Sequence, residues 1–133
     1  MKVVLDTNVL LAGFATRGLC EAVMAACLEA HDVAVSEYIL SELASHLASK
    51  VKLPEEQCRQ IVTFLREQCQ VVTPIAVPPG ACPDADDLPI LGTAVASGAD
   101  CLVTGDKSLL ALRSYEGIPI LNPRSFHERM KHH

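Results

Sequence analysis

Apolar residues along the chain follow two alternating rhythms: short unbroken runs, and longer stretches with a period of three to four residues. KVVLD at residues 2–6 is an unbroken run and predicts a strand buried on both faces. The short helical run VLLAGF follows, then a helix around residues 18–30. DVAVS, residues 32–36, predicts a second strand whose Ser36 caps a helix carrying Leu40, Leu43, Ala44, Leu47 and Val51 at helical spacing. Pro54 opens the next helix, with Glu55 and Glu56 in its first turn and an inward stripe of Cys58, Ile61, Val62, Leu65 and Cys69. QVVTPI (70–75) predicts a third strand, and the Pro-rich stretch Val77 to Pro83 a loop. A helix from Asp86 to Ser97 stops at Gly98, and its Pro89 is tolerable because first-turn amides have no intrahelical partner to lose. CLVTGD (101–106) predicts the fourth strand, Lys107 to Leu112 a short helix, IPIL (118–121) the fifth strand, and Pro123 the start of a last helix. Strands alternating with helices imply an α/β fold whose parallel sheet is covered on both faces.

Composition narrows this picture. The 133 residues suit one domain, 1–133, and the near absence of aromatic residues implies an aliphatic core. Charges, Pro or Gly break every apolar stretch before the roughly 20 residues a bilayer span needs, and the N-terminus enters a strand without a basic leader. A cytoplasmic protein with no membrane partner is expected. Six cysteines fall mostly on apolar faces with no CxxC pair, which implies reduced, buried thiols and disfavours zinc. The net charge of −5 argues against holding nucleic acid through a general basic field, although ions within an acid cluster offset such a deficit locally. His132 and His133 read as a tag remnant.

The chemistry lies in four acids. Asp6 ends the first strand, Glu42 sits on the border of a helix's apolar stripe, Asp87 opens a helix, and Asp106 closes the fourth strand. Acids at the C-terminal ends of neighbouring strands converge on the crevice where open α/β sheets bind ligands. Such acids repel one another and stay ionised together only around a cation, for which hard Mg²⁺ or Mn²⁺ suits oxygen ligands. Asp87 is the sharpest of the four because it shares a face with Leu91, Ala94 and Val95, and an acid on a buried stripe is costly unless compensated. Each acid also has a plain structural alternative: a helix cap for Asp6 and Asp106, a solvated helix face paired with His46 for Glu42. Asn8 caps a helix or bonds a metal-bound water, Thr104 orients a carboxylate or water, and one of Asp84 and Asp86 caps the helix while either could take part in the site at its margin. Arg17, Lys107, Arg113 and Arg124 lie in or near segments that follow strand ends and could contact the phosphates of a ligand, with solvated surface charge as their ordinary reading. GxSxG, GxGxxG and P-loop motifs are absent from the sequence.

VVLDTNVLLAGF, SEYILSELASHL and DADDLPILGTAVASGADCLVTGDKSLL together resemble the PIN domain family, in particular the bacterial and archaeal PIN proteins classed as VapC-like toxins of toxin–antitoxin pairs. The likeness runs along nearly the whole chain. It implies a three-layer α/β/α domain with a central parallel sheet of about five strands in the order 3-2-1-4-5. It places the family's acids on Asp6, Glu42, Asp87 and Asp106 as catalytic and metal-binding residues, with Asn8 and Thr104 as polar helpers. It further implies Mg²⁺- or Mn²⁺-dependent cleavage of RNA, a small antitoxin partner and a homodimer. Three function classes follow: a metal-dependent endoribonuclease; an aspartyl-phosphate phosphatase, disfavoured because Asn8 stands where a second Asp is needed; and an interaction module that binds RNA or an antitoxin without turnover. An RNA-processing nuclease that is not a toxin is compatible with the same residues.

Overall fold

In the computed structural model, which describes residues 1–131, the apolar runs become the strands β1 (Lys2–Leu5), β2 (Asp32–Val35), β3 (Gln70–Val71), β4 (Cys101–Val103), β5 (Ser114–Tyr115) and β6 (Ile118–Leu121). They form one six-stranded sheet in the order β3-β2-β1-β4-β6-β5, parallel except for the β5–β6 pair. The tag reading of His132 and His133 lies outside the described residues. β1 is central: Val3 faces Val33 on one side and Cys101 on the other, and Val3, Val4 and Leu5 are wholly buried. Only a strand covered on both faces can be apolar at consecutive positions, which is why this run shows no alternation.

Seven helices complete the three-layer α/β/α domain: α1 (Thr7–Ala15), α2 (Leu19–Ala30), α3 (Glu37–Ser49), α4 (Glu55–Gln68), α5 (Leu88–Ser97), α6 (Lys107–Leu110) and α7 (Pro123–Lys131). The Ser36 hydroxyl caps α3 by accepting from the Ile39 amide, and α3 buries Ile39, Leu40, Leu43 and Leu47. Gly98 ends α5 in the left-handed conformation that glycine adopts at least cost. All six cysteines pack in or against the core, and all six are free thiols. Among the described residues no single helix is long and apolar enough to cross a membrane.

Three boundaries differ from expectation. The sheet has six strands because Ser114–Tyr115 folds back on β6 through Glu116 and Gly117, whose φ of 50° and 79° are those of a tight two-residue hairpin loop. Two residues are too few for any periodicity to register. The third strand keeps only Gln70 and Val71 in the ladder, because the chain then turns onto α5: the Ile75 amide donates to the Gly92 carbonyl at 3.2 Å. Pro74 has no amide for a ladder, and a Cβ on Gly92 would stand 2.4 Å from the Ile75 oxygen, so that glycine permits the close approach. The helix expected from Asp86 starts regularly at Leu88, behind a 3₁₀ turn at Ala85–Asp87 that Asp84 caps.

Candidate metal and active site

At the C-terminal ends of β1 and β4 the chain leaves the sheet into α1 and α6, and an aspartate caps each helix. Asp6 Oδ1 accepts from the Thr7 amide at 2.6 Å, and Asp106 Oδ1 accepts from the Ser108 amide at 2.9 Å. Capping and cleft-lining therefore coincide in the same carboxylates. The Thr104 hydroxyl, fully buried, donates to Asp6 Oδ2 at 2.7 Å and accepts from the Asp106 amide at 3.0 Å, joining the two acids through one oxygen. Asn8 completes the clasp: its Nδ2 donates to Asp6 Oδ2 at 3.3 Å and its Oδ1 accepts from the Gly105 amide at 3.0 Å.

Asp6, Glu42, Asp87 and Asp106 all line a single cleft of about 270 Å³, together with Asn8, Tyr38, His46, Lys50 and Asp86. Asp84 does not; it is exposed, and its carboxylate accepts from the Asp86 amide at 2.9 Å. Glu42 faces the aspartates from α3, half-buried, with Oε2 3.7 Å from His46 Nε2. Arg17, Lys107, Arg113 and Arg124 lie outside the cleft lining, and the Lys or Arg that reaches it is Lys50. Tyr38, Lys50 and Ser108 had escaped sequence reasoning. Tyr38 and Lys50 stand four residues before and eight after Glu42, so helical spacing from that acid was the signal that could have found them.

Electrostatics separates the acids. Burial, then the neighbouring Asp106 carboxylate and the charges of Asp6 and Asp84, push Asp87 up to about 7. Burial also raises Asp6, against the hydrogen bonds from Thr104, Thr7 and Asn8 that favour its charge. Asp106 goes the other way: burial works against its charge, but the bonds from Ser108 and the contact with Asp87 hold it below its ordinary value. Among the described residues none of these three aspartates has an ion-pair partner. Asp87, although buried, receives only the Ser108 hydroxyl at 3.4 Å. An under-compensated set of carboxylate oxygens fits a hard divalent cation in kind. In geometry it is open: among the described residues no three acid, thiol or imidazole groups are drawn together as a finished ligand set.

The family model for the PIN domain matches residues 2–108. The chain belongs to the PIN domain family. The match ends just beyond Asp106, so it contains every acid of the cleft, while the β5–β6 hairpin and α7 of this PIN domain lie outside it. Its fold is similar to that of VapBC-1 from nontypeable Haemophilus influenzae, at 16% identity and a TM-score of 0.65, covering 93% of this chain and 99% of that one. VapBC2 from Rickettsia felis, in a crystal structure bound to a DNA fragment from their promoter, aligns at 19% identity and a TM-score of 0.62, covering 92% and 98%. The PIN domain endonuclease Utp24 aligns at 22% identity and a TM-score of 0.52, covering 91% and 84%. No curated protein sequence matches this PIN domain.

Proposed function

We propose that this PIN domain is a Mg²⁺- or Mn²⁺-dependent endoribonuclease and the toxin component of a toxin–antitoxin pair. PIN domains are in general nucleases, and the observation that carries the finer reading is the buried Asp87, held near neutrality among three other cleft carboxylates with no cationic partner. Asp6, Asp87 and Asp106 would hold the ion, with Glu42 as a fourth ligand or as the group that orients the attacking water. The ion, when bound, supplies charge neutralisation at the phosphodiester and a more acidic water. The chain does the rest. Thr104 and Asn8 fix the Asp6 carboxylate, and Ser108 fixes that of Asp106, so their oxygens would face the ion in a set orientation. Asp87, pushed up to about 7 by burial and its acidic neighbours, would release its proton readily on binding a cation. Hydrolysis of this kind leaves a 5′-phosphate and a 3′-hydroxyl.

A small antitoxin is proposed as partner because the VapBC and FitAB structures match the fold over more than nine-tenths of this chain. One observation favours a second reading, a PIN-fold module that binds RNA or an antitoxin without turnover: the acids are not drawn into a finished ligand set. Purified protein incubated with end-labelled RNAs in Mn²⁺, Mg²⁺ or chelator, beside an Asp87→Asn variant prepared identically, separates the two. Metal-dependent cuts that vanish in the variant support the nuclease. Equal cutting by both proteins, or none, supports the binding module. Growth arrest on expression, absent for Asp87→Asn, tests the toxin assignment separately from processing nucleases.

A further inference from the structure

Glu42 is the acid that the strands do not position. Asp6 and Asp106 are fixed where β1 and β4 end, whereas Glu42 projects from the middle of α3 on a flexible side chain, about a third exposed. Two residues of the same helix stand one turn to either side of it, His46 and Tyr38. His46 Nε2 lies 3.7 Å from Glu42 Oε2, on the side of Lys50. Tyr38 sits at the other end, half-buried in the cleft wall, and its hydroxyl donates to the Asp86 carbonyl at 2.9 Å across 48 residues of sequence. The same phenol stands one helical turn before Glu42, and burial together with that nearby carboxylate pushes its pKa upward.

The phenol therefore touches both sides of the open cleft, the helix that bears Glu42 and the turn whose next residue is Asp87. The phenolic hydroxyl has one proton to donate, and the Asp86 carbonyl takes it. Its ring, packed against the core, sets how far α3 stands from the 84–87 turn. We propose that Tyr38 is a positioning residue which holds the Asp84–Asp87 turn against α3, and so sets Asp87 opposite Glu42, so that the four acids can act on one ion. This inference rests on the metal-dependent reading above. Tyr38 is not a ligand and does not touch the reacting phosphate; it acts through the placement of Asp87 relative to Glu42.

Tyr38→Phe keeps the ring and removes only the oxygen, so the fold is retained. Binding of Mn²⁺ to metal-free protein, followed by electron paramagnetic resonance, is to be measured for the wild type, Tyr38→Phe, Glu42→Gln and the double variant, with kcat and KM on an end-labelled RNA in parallel. Loss of one hydrogen bond of ordinary strength predicts about fivefold to tenfold weaker Mn²⁺ binding and a similar fall in kcat, with KM changed by less than about twofold. Because Tyr38 acts by setting Asp87 against Glu42, the loss in the double variant should be smaller than the sum of the two single losses. Unchanged Mn²⁺ binding in Tyr38→Phe, or losses that simply add in the double variant, would overturn the proposal. A wild type that binds Mn²⁺ but cuts no RNA would sink the nuclease reading, while the Mn²⁺ titrations still decide the role of Tyr38. A wild type that binds no Mn²⁺ would remove both.

Discussion

The floor and the wall of the cleft are built by different means. On the floor, Asp6, Thr104, Asn8 and Asp106 are knitted by side-chain and backbone hydrogen bonds at the ends of two central strands, and Asp6 and Thr104 are buried. On the wall, Glu42, His46 and Lys50 hang from α3 with one long ion pair between the first two, and their backbone positions follow from the helix alone. Floor residues serve the fold and line the cleft at once, because the carboxylates that cap α1 and α6 also face the cleft. Wall residues can change without disturbing the core. Asp87 lies between the two, buried like the floor and as poorly partnered as the wall.

Breaking the floor should have the largest effect. Asp6→Ala removes the α1 cap and leaves the Thr104 hydroxyl and the Asn8 amide without their shared acceptor. It should lower RNA cleavage to roughly a hundredth or less and destabilise the fold by about 2 kcal/mol, read by end-labelled cleavage and by urea unfolding. If the domain lost activity but no stability, floor and wall would not differ as described.

Asp87 sharpens the comparison by pH. Its folded pKa of about 7 lies above the ordinary 3.8, so the folded state binds that proton more tightly than the unfolded chain. The associated stability is fully present below pH about 4 and is lost as pH rises through about 7. In chelator, Asp87→Asn should therefore be more stable than wild type at pH 8, by something on the order of 2 kcal/mol, with the advantage gone near pH 4. Thermal unfolding across that range checks this, and saturating Mn²⁺ should close the gap at pH 8 by stabilising only the wild type.

Thr104→Val keeps the shape and removes the oxygen that joins Asp6 to Asp106. About 1 to 2 kcal/mol of stability should go with it, along with roughly tenfold of Mn²⁺ affinity. The smallest effect on the fold belongs to the wall. Glu42→Gln should change stability by less than about 0.5 kcal/mol while lowering cleavage roughly tenfold. A destabilisation as large as that of Thr104→Val would erase the distinction between floor and wall.

Much of this molecule was legible in its residues, for reasons that differ by element. Unbroken apolar runs mark β1 and β4 because both faces of a central strand are covered, and Ser36 and Gly98 announce the ends of α3 and α5 by their own chemistry. The two-residue strand β5 could not be read from period, although Glu116-Gly117 beside IPIL was a turn signal in plain view. The early exit of the chain after Val71 depends on Gly92, 21 residues away, and a local pattern carries no such information.

The sequence alone determined the alternation of strands and helices, the aliphatic core and the placing of acids at strand ends, because each follows from local periodicity and side-chain chemistry. Tertiary structure decided which carboxylates share a cleft, that Asp84 caps a turn outside it while Asp87 is buried within it, and that Tyr38 reaches across to the Asp86 carbonyl. Those facts depend on how β1, β4, α3 and α5 lie against one another. Burial and charge repulsion act through space between residues up to a hundred positions apart, as from Asp6 to Asp106, where spacing along the chain has no bearing.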